Sequence, residues 1–466
     1  MKRFVVFLIT AIMFGLTCEV VAAQELTLDD CIEIALQNRA AIIRARGAAT
    51  AAKWDRVAAL GAFLPNVSGS YSYSKGKDWD EDPPDARATA YGDSIVTTVF
   101  ETDTGTVTVL DAVRYPTAYE LVTEKDTGPN KTWSLSGSLD LINLSNWFNY
   151  AAASAAVAQA KLNVLASEQD MIYAVKTSYY AFLASAENVA VQEDAVKRAE
   201  EQLKLIESRF ELGSASKSDV LKQKVQYGND QLAFLRATNS VVSAKADLAY
   251  TIGLDPSKEH EFETDYRVRE YEGTLDEAIT FAMEHNPSLL ASGKNADLAK
   301  HYMHSAWSTY LPTVSGRLSY SKTSGTQGYA STLVDYEGKS RSVGFSVNWN
   351  IFDGFSRESR VASAKVSRNN ALADEADTRN ATVSNVKASY LQLAQLRKQV
   401  DVATENVAAA EEDMKITQEK YNLGAATILD LLDAQVSLKT AQVGLISAQF
   451  DLNLAIANLE NAMGKM

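Results

Sequence analysis

The chain has 466 residues and a formal net charge of −14. An acidic balance of that size excludes nucleic acid and anionic lipid surfaces as main partners. Two cysteines, one of them in the N-terminal apolar stretch, exclude a disulfide framework or a cysteine metal cluster in the mature protein.

Residues 1–23 read as a secretory signal peptide. Lys2 and Arg3 precede an apolar run over 4–16, and Val21-Ala22-Ala23 offers small residues for cleavage before Gln24. Gly15-Leu16-Thr17 before Cys18 is a poor lipoprotein signal. Beyond this segment no stretch has 18 consecutive apolar residues, so a membrane crossing by the mature chain has to be a β-barrel.

Thr27-Leu28-Asp29-Asp30 opens a helix, on whose apolar face Cys31 reads as a small buried hydrophobe. Pro65 ends that helix and starts a strand over 66–74, with Val67, Tyr71 and Tyr73 on one side and serines on the other. The segment 76–132 is expected to be a long extracellular loop. Its acidic run beside Pro83-Pro84 matches no calcium-loop spacing, and 95–110 is Val- and Thr-rich enough for an extra hairpin. A second alternating strand covers 133–141. Residues 146–209 then contain neither proline nor glycine. As one helix these 64 residues reach roughly 95 Å. The long helix is taken as 146–211, with an apolar seam through Val175, Tyr179, Phe182, Val189, Val196, Leu203 and Ile206 in steps of three and four. Leu212-Gly213 stops it, and a return helix is expected over 218–253.

The series then repeats. Thr274-Leu275-Asp276-Glu277 lies 247 residues after Thr27-Leu28-Asp29-Asp30, and Leu311-Pro312 matches Leu64-Pro65 at the same offset. A hairpin is expected over 313–351, a long helix over 356–421 with a matching seam through Val386, Tyr390, Leu393 and Met414, a stop at Leu423-Gly424, and a return helix over 428–463. From the glycine turns onward the offset is 211. The mature chain is therefore a tandem duplication, 24–256 and 257–466.

Each chain supplies four strands of alternating apolar and polar residues, and four strands leave two open edges. Lipid tolerates no open edge, so the sheet must be one part of a shared barrel; three copies make 12 strands, an allowed even number. The fold class is thus mixed α and β, with four transmembrane strands per chain in a trimeric 12-stranded β-barrel continued by a long α-helical coiled-coil barrel. His301 and His304, three apart on a helix, lack a third ligand, so no metal site is assigned. No phosphate loop, nucleophile elbow or zinc-protease motif is present, so neither enzyme nor cofactor is expected.

The duplicated openings, the Leu-Pro junctions and above all the turns Arg209-Phe210-x-x-Gly213-x-x-Ser216-x-x-Asp219-Val220-Leu221 and Lys420-Tyr421-x-x-Gly424-x-x-Thr427-x-x-Asp430-Leu431-Leu432 resemble the outer-membrane efflux protein family, the TolC-like outer-membrane factors. The resemblance implies a homotrimer in outer-membrane lipid with a large periplasmic portion. It would be the exit duct of a tripartite efflux pump or type I secretion system, docked through a periplasmic adaptor on an inner-membrane pump. Adaptor contact then falls to Leu212, Gly213, Ser214, Leu423, Gly424 and Ala425. Asp430 and Asp433 match the aperture carboxylates, two stacked rings in a trimer, and Tyr421 with Asp219 matches a gate link. A second family link uses an arginine where this chain has Ala426, so that link is missing. A surface coiled-coil structural protein or adhesin would account for the helices but not for the duplicated strand pairs. A soluble periplasmic binding module would need a closed core and polar strand edges.

Overall fold

The computed structural model describes residues 25–78, 85–102, 105–122, 125–264, 270–329 and 332–465. The signal segment 1–23 and the acidic run at 79–84 lie outside them. In chain order the elements are α1 (Leu28–Asn38), α2 (Ala40–Gly61), β1 (Asn66–Asp78), β2 (Asp85–Thr102), β3 (Gly105–Val122), β4 (Lys125–Ile142), α3 (Leu144–Glu211) and α4 (Lys217–Ile252). The second half has α5 (Leu275–His285), α6 (Pro287–Ser308), β5 (Thr313–Tyr329), β6 (Thr332–Asn348), α7 (Ser356–Asn422) and α8 (Ile428–Met463). They form two compact units. One is helical and comprises residues up to Arg56, Ala151–Met303 and Ser363 onward; the other comprises Val57–Tyr150 and His304–Ala362 and holds the sheet.

Three sequence expectations need correction. The opening helix of each half is two helices. In the second half the break falls at Asn286 because the following Pro287 disfavours helical backbone before it, and Asn286 is extended at φ −65°, ψ 116°. In the first half Arg39 takes the same extended conformation without a proline; its guanidinium donates to the Tyr250 carbonyl at 3.0 Å and lies over the Tyr250 ring. The glycine ending each return helix explains why the break recurs. Gly253 (φ +81°) and Gly464 (φ +78°) are left-handed, and a Cβ there would approach Asn38 Cβ at 3.2 Å and Asn286 Cα at 2.8 Å. Chain reversal and close approach coincide at those two positions, and only glycine meets both.

The segment 76–132, expected to be a loop, is mostly strand. β1 and β4 extend into it, and within it β2 and β3 pair as an antiparallel hairpin, from Asp85 opposite Val122 to Thr102 opposite Gly105. This hairpin is a separate two-stranded sheet, while the main sheet has the order β1-β4-β5-β6. One face of the main sheet carries Val67, Tyr71, Trp133, Leu135, Leu318, Val343, Phe345 and Val347, all exposed, Phe345 at 81%. The other carries serines joined across the strands: Ser68 to Ser136 at 2.8 Å, Ser70 to Ser134 at 2.7 Å, Ser315 to Ser346 at 2.8 Å and Ser319 to Ser342 at 2.7 Å. β6 stops at Asn348, short of the expected 351, because its partner β5 starts at Thr313, opposite Asn348.

The helical unit repeats its core as the sequence repeats. Around α1 and α3 the cluster holds Cys31, Ala35, Val175, Phe182, Leu248 and Ile252; around α5 and α7 the corresponding residues are Ala278, Ala282, Val386, Leu393, Leu459 and Met463. In both halves the short opening helix packs on the return helix, α1 on α4 and α5 on α8. Burial with Asp30 beside it pushes the Cys31 thiol up to about 12, the state of an inert core cysteine.

Candidate functional site

Both long helices end the same way. At the end of α3, Gly213 has φ +76°, its N–H donates to the Phe210 carbonyl at 2.9 Å, and Ser214 N–H reaches back to the Arg209 carbonyl at 2.8 Å. At the end of α7, Gly424 has φ +76°, and Gly424 and Ala425 bond to the Tyr421 and Lys420 carbonyls at 3.1 and 2.8 Å. This double closure satisfies the last carbonyls of a helix and requires a left-handed residue. It leaves Leu212 83% and Leu423 85% exposed at the two tips. An apolar side chain held out so far on a rigid turn stabilises nothing within its own chain.

The return helices start on capping boxes. Ser216 Oγ accepts from Asp219 N–H at 3.1 Å, while the Asp219 carboxylate accepts from Ser216 N–H and Oγ–H at 3.2 and 2.7 Å. Thr427 and Asp430 do the same at 3.2, 2.8 and 2.8 Å. These donors hold the Asp430 carboxyl below the usual carboxylate range, the Thr427 amide contributing most. Asp430 is therefore an ionised residue whose Oδ2 is turned back onto its own helix end. Asp433 is exposed one turn on. Thr27 with Asp30 and Thr274 with Glu277 repeat the arrangement, so all four short and return helices of the duplication open alike. The S/T-x-x-D/E spacing announces this role, and it agrees with reading Asp430 as a helix N-terminal charge, the alternative to its place in an aperture ring.

Behind the turns, Ile206, Val220, Ile428 and Leu431 are buried together, with Leu203, Met414 and Tyr421 packed against them, so the ends of α3, α4, α7 and α8 share one apolar cluster. A cleft of about 810 Å³ opens beside it, lined by Arg209, Asp219, Lys222, Tyr421, Asn422 and Thr427 among others. Arg209 is the residue that sequence reasoning missed. Its Nη2 donates to Asn422 Oδ1 at 3.1 Å, and its guanidinium carbon lies 5.2 Å from the Tyr421 ring centroid. Burial pushes the Tyr421 hydroxyl up, Arg209 pulls it down, and the Asp219 charge adds a smaller upward push. Within one chain the Tyr421 ring thus lies under the Arg209 guanidinium, and Asp219 is bonded to Ser216. The cleft is lined by two cations, Arg209 at the end of α3 and Lys222 on α4, while position 426 is alanine.

Among the described residues no group of three His, Cys, Asp or Glu is disposed to hold a metal ion. His304 instead stacks on Phe148, ring centroids 5.3 Å apart.

A family model described as "Outer membrane efflux protein" matches residues 31–254 and 278–465. The chain is 24% identical over 318 residues to the outer membrane efflux protein BepC of Brucella suis, covering 68% of each chain. It is 24% identical over 355 residues to the outer membrane protein TolC of Vibrio cholerae, covering 74% of this chain and 80% of that one. Among solved structures, the outer membrane protein VceC of Vibrio cholerae superposes with a TM-score of 0.71 at 18% identity, covering 94% of this chain and 96% of that one.

Proposed function

The chain belongs to the outer membrane efflux protein family, and from that premise we propose that it is the outer-membrane exit duct of a tripartite efflux pump or type I secretion system, passing substrates from periplasm to cell exterior as a homotrimer. One observation carries this function. The main sheet ends in two open edges, β1 and β6, with a serine-lined face on one side and exposed Val, Phe, Tyr and Trp on the other. In water such a sheet aggregates; in lipid it is allowed only as a segment of a closed barrel. Three copies make 12 strands, a barrel wide enough for a water-filled lumen. The duct is a passive conduit and is assigned no catalytic step.

The paired glycine turns supply the periplasmic end of this reading. Leu212, Gly213 and Ser214, with Leu423, Gly424 and Ala425, are the contact offered to a periplasmic adaptor, exposed leucines on rigid turns being suited to a groove on another protein. Asp430 and Asp433 in three copies give the carboxylate rings of the aperture. Tyr421, which shares its cleft with Arg209 and Asp219, is the gate residue. Arg209 supplies from α3 the positive charge that Ala426 cannot.

Reconstitution in planar bilayers tests both levels. The expected protein is a detergent-requiring, heat-labile trimer that conducts ions and is blocked from the periplasmic side by divalent cations. Replacing Asp430 and Asp433 by Asn weakens that block by about tenfold or more, the effect of removing a charge ring at close quarters. A conducting trimer with unchanged block removes the ring assignment; a water-soluble monomer without conductance removes the duct.

A further inference from the structure

The apolar face of the main sheet changes character partway along its strands. β5 enters at Thr313, and the face begins with Val314 opposite Val347, Gly316 opposite Phe345 and Leu318 opposite Val343. It then turns basic. Tyr320 lies opposite Arg341, and Lys322 opposite Lys339. Across the β4–β5 seam Trp133 lies opposite Lys322, and two residues further out Lys131 lies between Ser324 and Tyr73. Strands about 4.8 Å apart, rising about 3.3 Å per residue, put the four cations on a patch about 10 Å by 13 Å.

We propose that this patch is a docking surface for the phosphorylated headgroup of an outer-leaflet glycolipid, with Lys131, Lys322, Lys339 and Arg341 as its phosphate-binding residues. The inference rests on the shared-barrel reading above, which turns the apolar face towards lipid. Height supports it first. Lys322 is the tenth residue of β5, and a tilted strand crosses a bilayer in about 9–11. The helices join the strands at their other ends, so the cations stand at the headgroups of the far leaflet. Charge supports it next. Lysines directly opposite each other repel, yet Lys322 and Lys339 share one carboxylate, Glu337, at 3.2 and 3.0 Å. Lys131 and Arg341 form no ion pair among the described residues. Asp335, further out, is bonded to the Thr326 hydroxyl at 2.9 Å. The patch therefore keeps a positive excess, which a multiply charged phosphate group matches and a zwitterionic headgroup does not. Aromatics border it as they do at a membrane interface: Tyr71 packs on Trp133 with ring centroids 6.0 Å apart, and the Arg341 guanidinium lies 5.7 Å from the Tyr320 centroid. The asymmetry is specific. An anchor that merely snorkels serves both ends of an apolar band, but the helix-proximal end of this face carries no lysine or arginine; Arg317 lies on the serine face, opposite Ser138 and Gly344. The chain's net charge of −14 does not oppose the docking, because exposed charges more than about 8 Å away are screened at physiological salt.

Lipid titration of the full-length trimer in non-ionic detergent, read by native mass spectrometry, tests it. The probes are a bisphosphorylated glucosamine-disaccharide lipid, the same lipid without its phosphates, and inorganic phosphate as competitor. The parent should prefer the phosphorylated lipid by at least about tenfold, the scale that several cations near a phosphate surface support. Lys131→Gln, Lys322→Gln, Lys339→Gln and Arg341→Gln together should abolish the preference. Glu337→Gln should strengthen it, because two ammonium groups lose their competing carboxylate, and Arg317→Gln should leave it unchanged. A parent without preference overturns the docking, as does a fourfold variant that keeps it or an Arg317→Gln loss of equal size. Displacement of the lipid by an equal concentration of inorganic phosphate also overturns it, assigning the patch to a soluble anion. If the fourfold variant gives no heat-labile trimer, Lys131→Gln with Arg341→Gln, which breaks no ion pair, should still lower the preference at least about threefold, and an unchanged preference there overturns the proposal. A detergent-requiring trimer that ignores the phosphates sinks this inference alone; a parent that needs no detergent sinks the shared barrel with it.

Discussion

Thr427 and Asp430 tie the first turn of α8 with three hydrogen bonds, and the consequence is a titration. Donors aimed at a carboxylate favour its charged form, so the folded-state pKa of Asp430 is lowered. A depressed carboxyl contributes stability above its unfolded pKa, about 4, and that contribution is lost as pH falls through the lower folded value. Asp30 and Glu277, held by Thr27 and Thr274, follow the same rule at α1 and α5. Thr427→Ala removes one donor to Asp430 and the acceptor for its amide, so Asp430 titrates closer to the ordinary carboxylate value. The acid limb of the conductance–pH curve should therefore move to higher pH, read in planar bilayers between about pH 3 and 6. A midpoint that stays put shows that Asp430 does not govern the current. The spacing Thr-x-x-Asp was legible in the sequence. The bond between Arg209 and Asn422 was not, because it joins residues 213 positions apart and no local pattern announces it.

Strands and helices were legible to different degrees. The long helices stand out because they lack Pro and Gly for some 64 residues and end on glycine, and α8, the return helix expected after the Leu423-Gly424 stop, runs over Ile428–Met463. The break at Asn286 follows from Pro287, whereas the break at Arg39 has no local cause and belongs to the Gly253 contact. The Val- and Thr-rich stretch 95–110 announced a hairpin, but strand pairing, not composition, decides that it runs from Asp85 to Val122. β2 and β3 pair only with each other among the described residues. Replacing 85–122 by a short Gly/Ser link should then leave the β1–β4 register intact, with a loop-closure gain of about 1–2 kcal/mol. Heat-dissociation of the trimer on gels checks this: the deletion should still give the trimer band. Its loss would make the hairpin part of the assembly.

Across the whole molecule, contacts that join the halves depart from the duplication, and Lys439 on α8 with Asp230 on α4 at 2.7 Å is one of them. Lys176 on α3 and Glu460 on α8 form a 3.0 Å ion pair, their side chains 10% and 11% exposed, and so join the first half to the second. The matching positions are Lys387 and Ala249, so the pair has no counterpart. Removing one partner leaves a charge stranded in an apolar setting. Glu460→Ala should cost about 3–5 kcal/mol, while Lys176→Met with Glu460→Leu should be near neutral. Denaturation midpoints of the detergent-solubilised protein decide it; equal losses in both variants would mean that packing, not charge, is at stake. What the amino-acid order determined alone was everything periodic: the duplication, the alternating strands, the glycine stops and the two open sheet edges. Periodicity is written in neighbouring residues and survives without a fold. Only the tertiary structure decided which distant groups meet: Arg209 at Tyr421, Lys176 at Glu460, Gly253 against Asn38, and β4 beside β5. Those meetings depend on how separate helices and strands come to lie side by side, and nothing local in the chain encodes that.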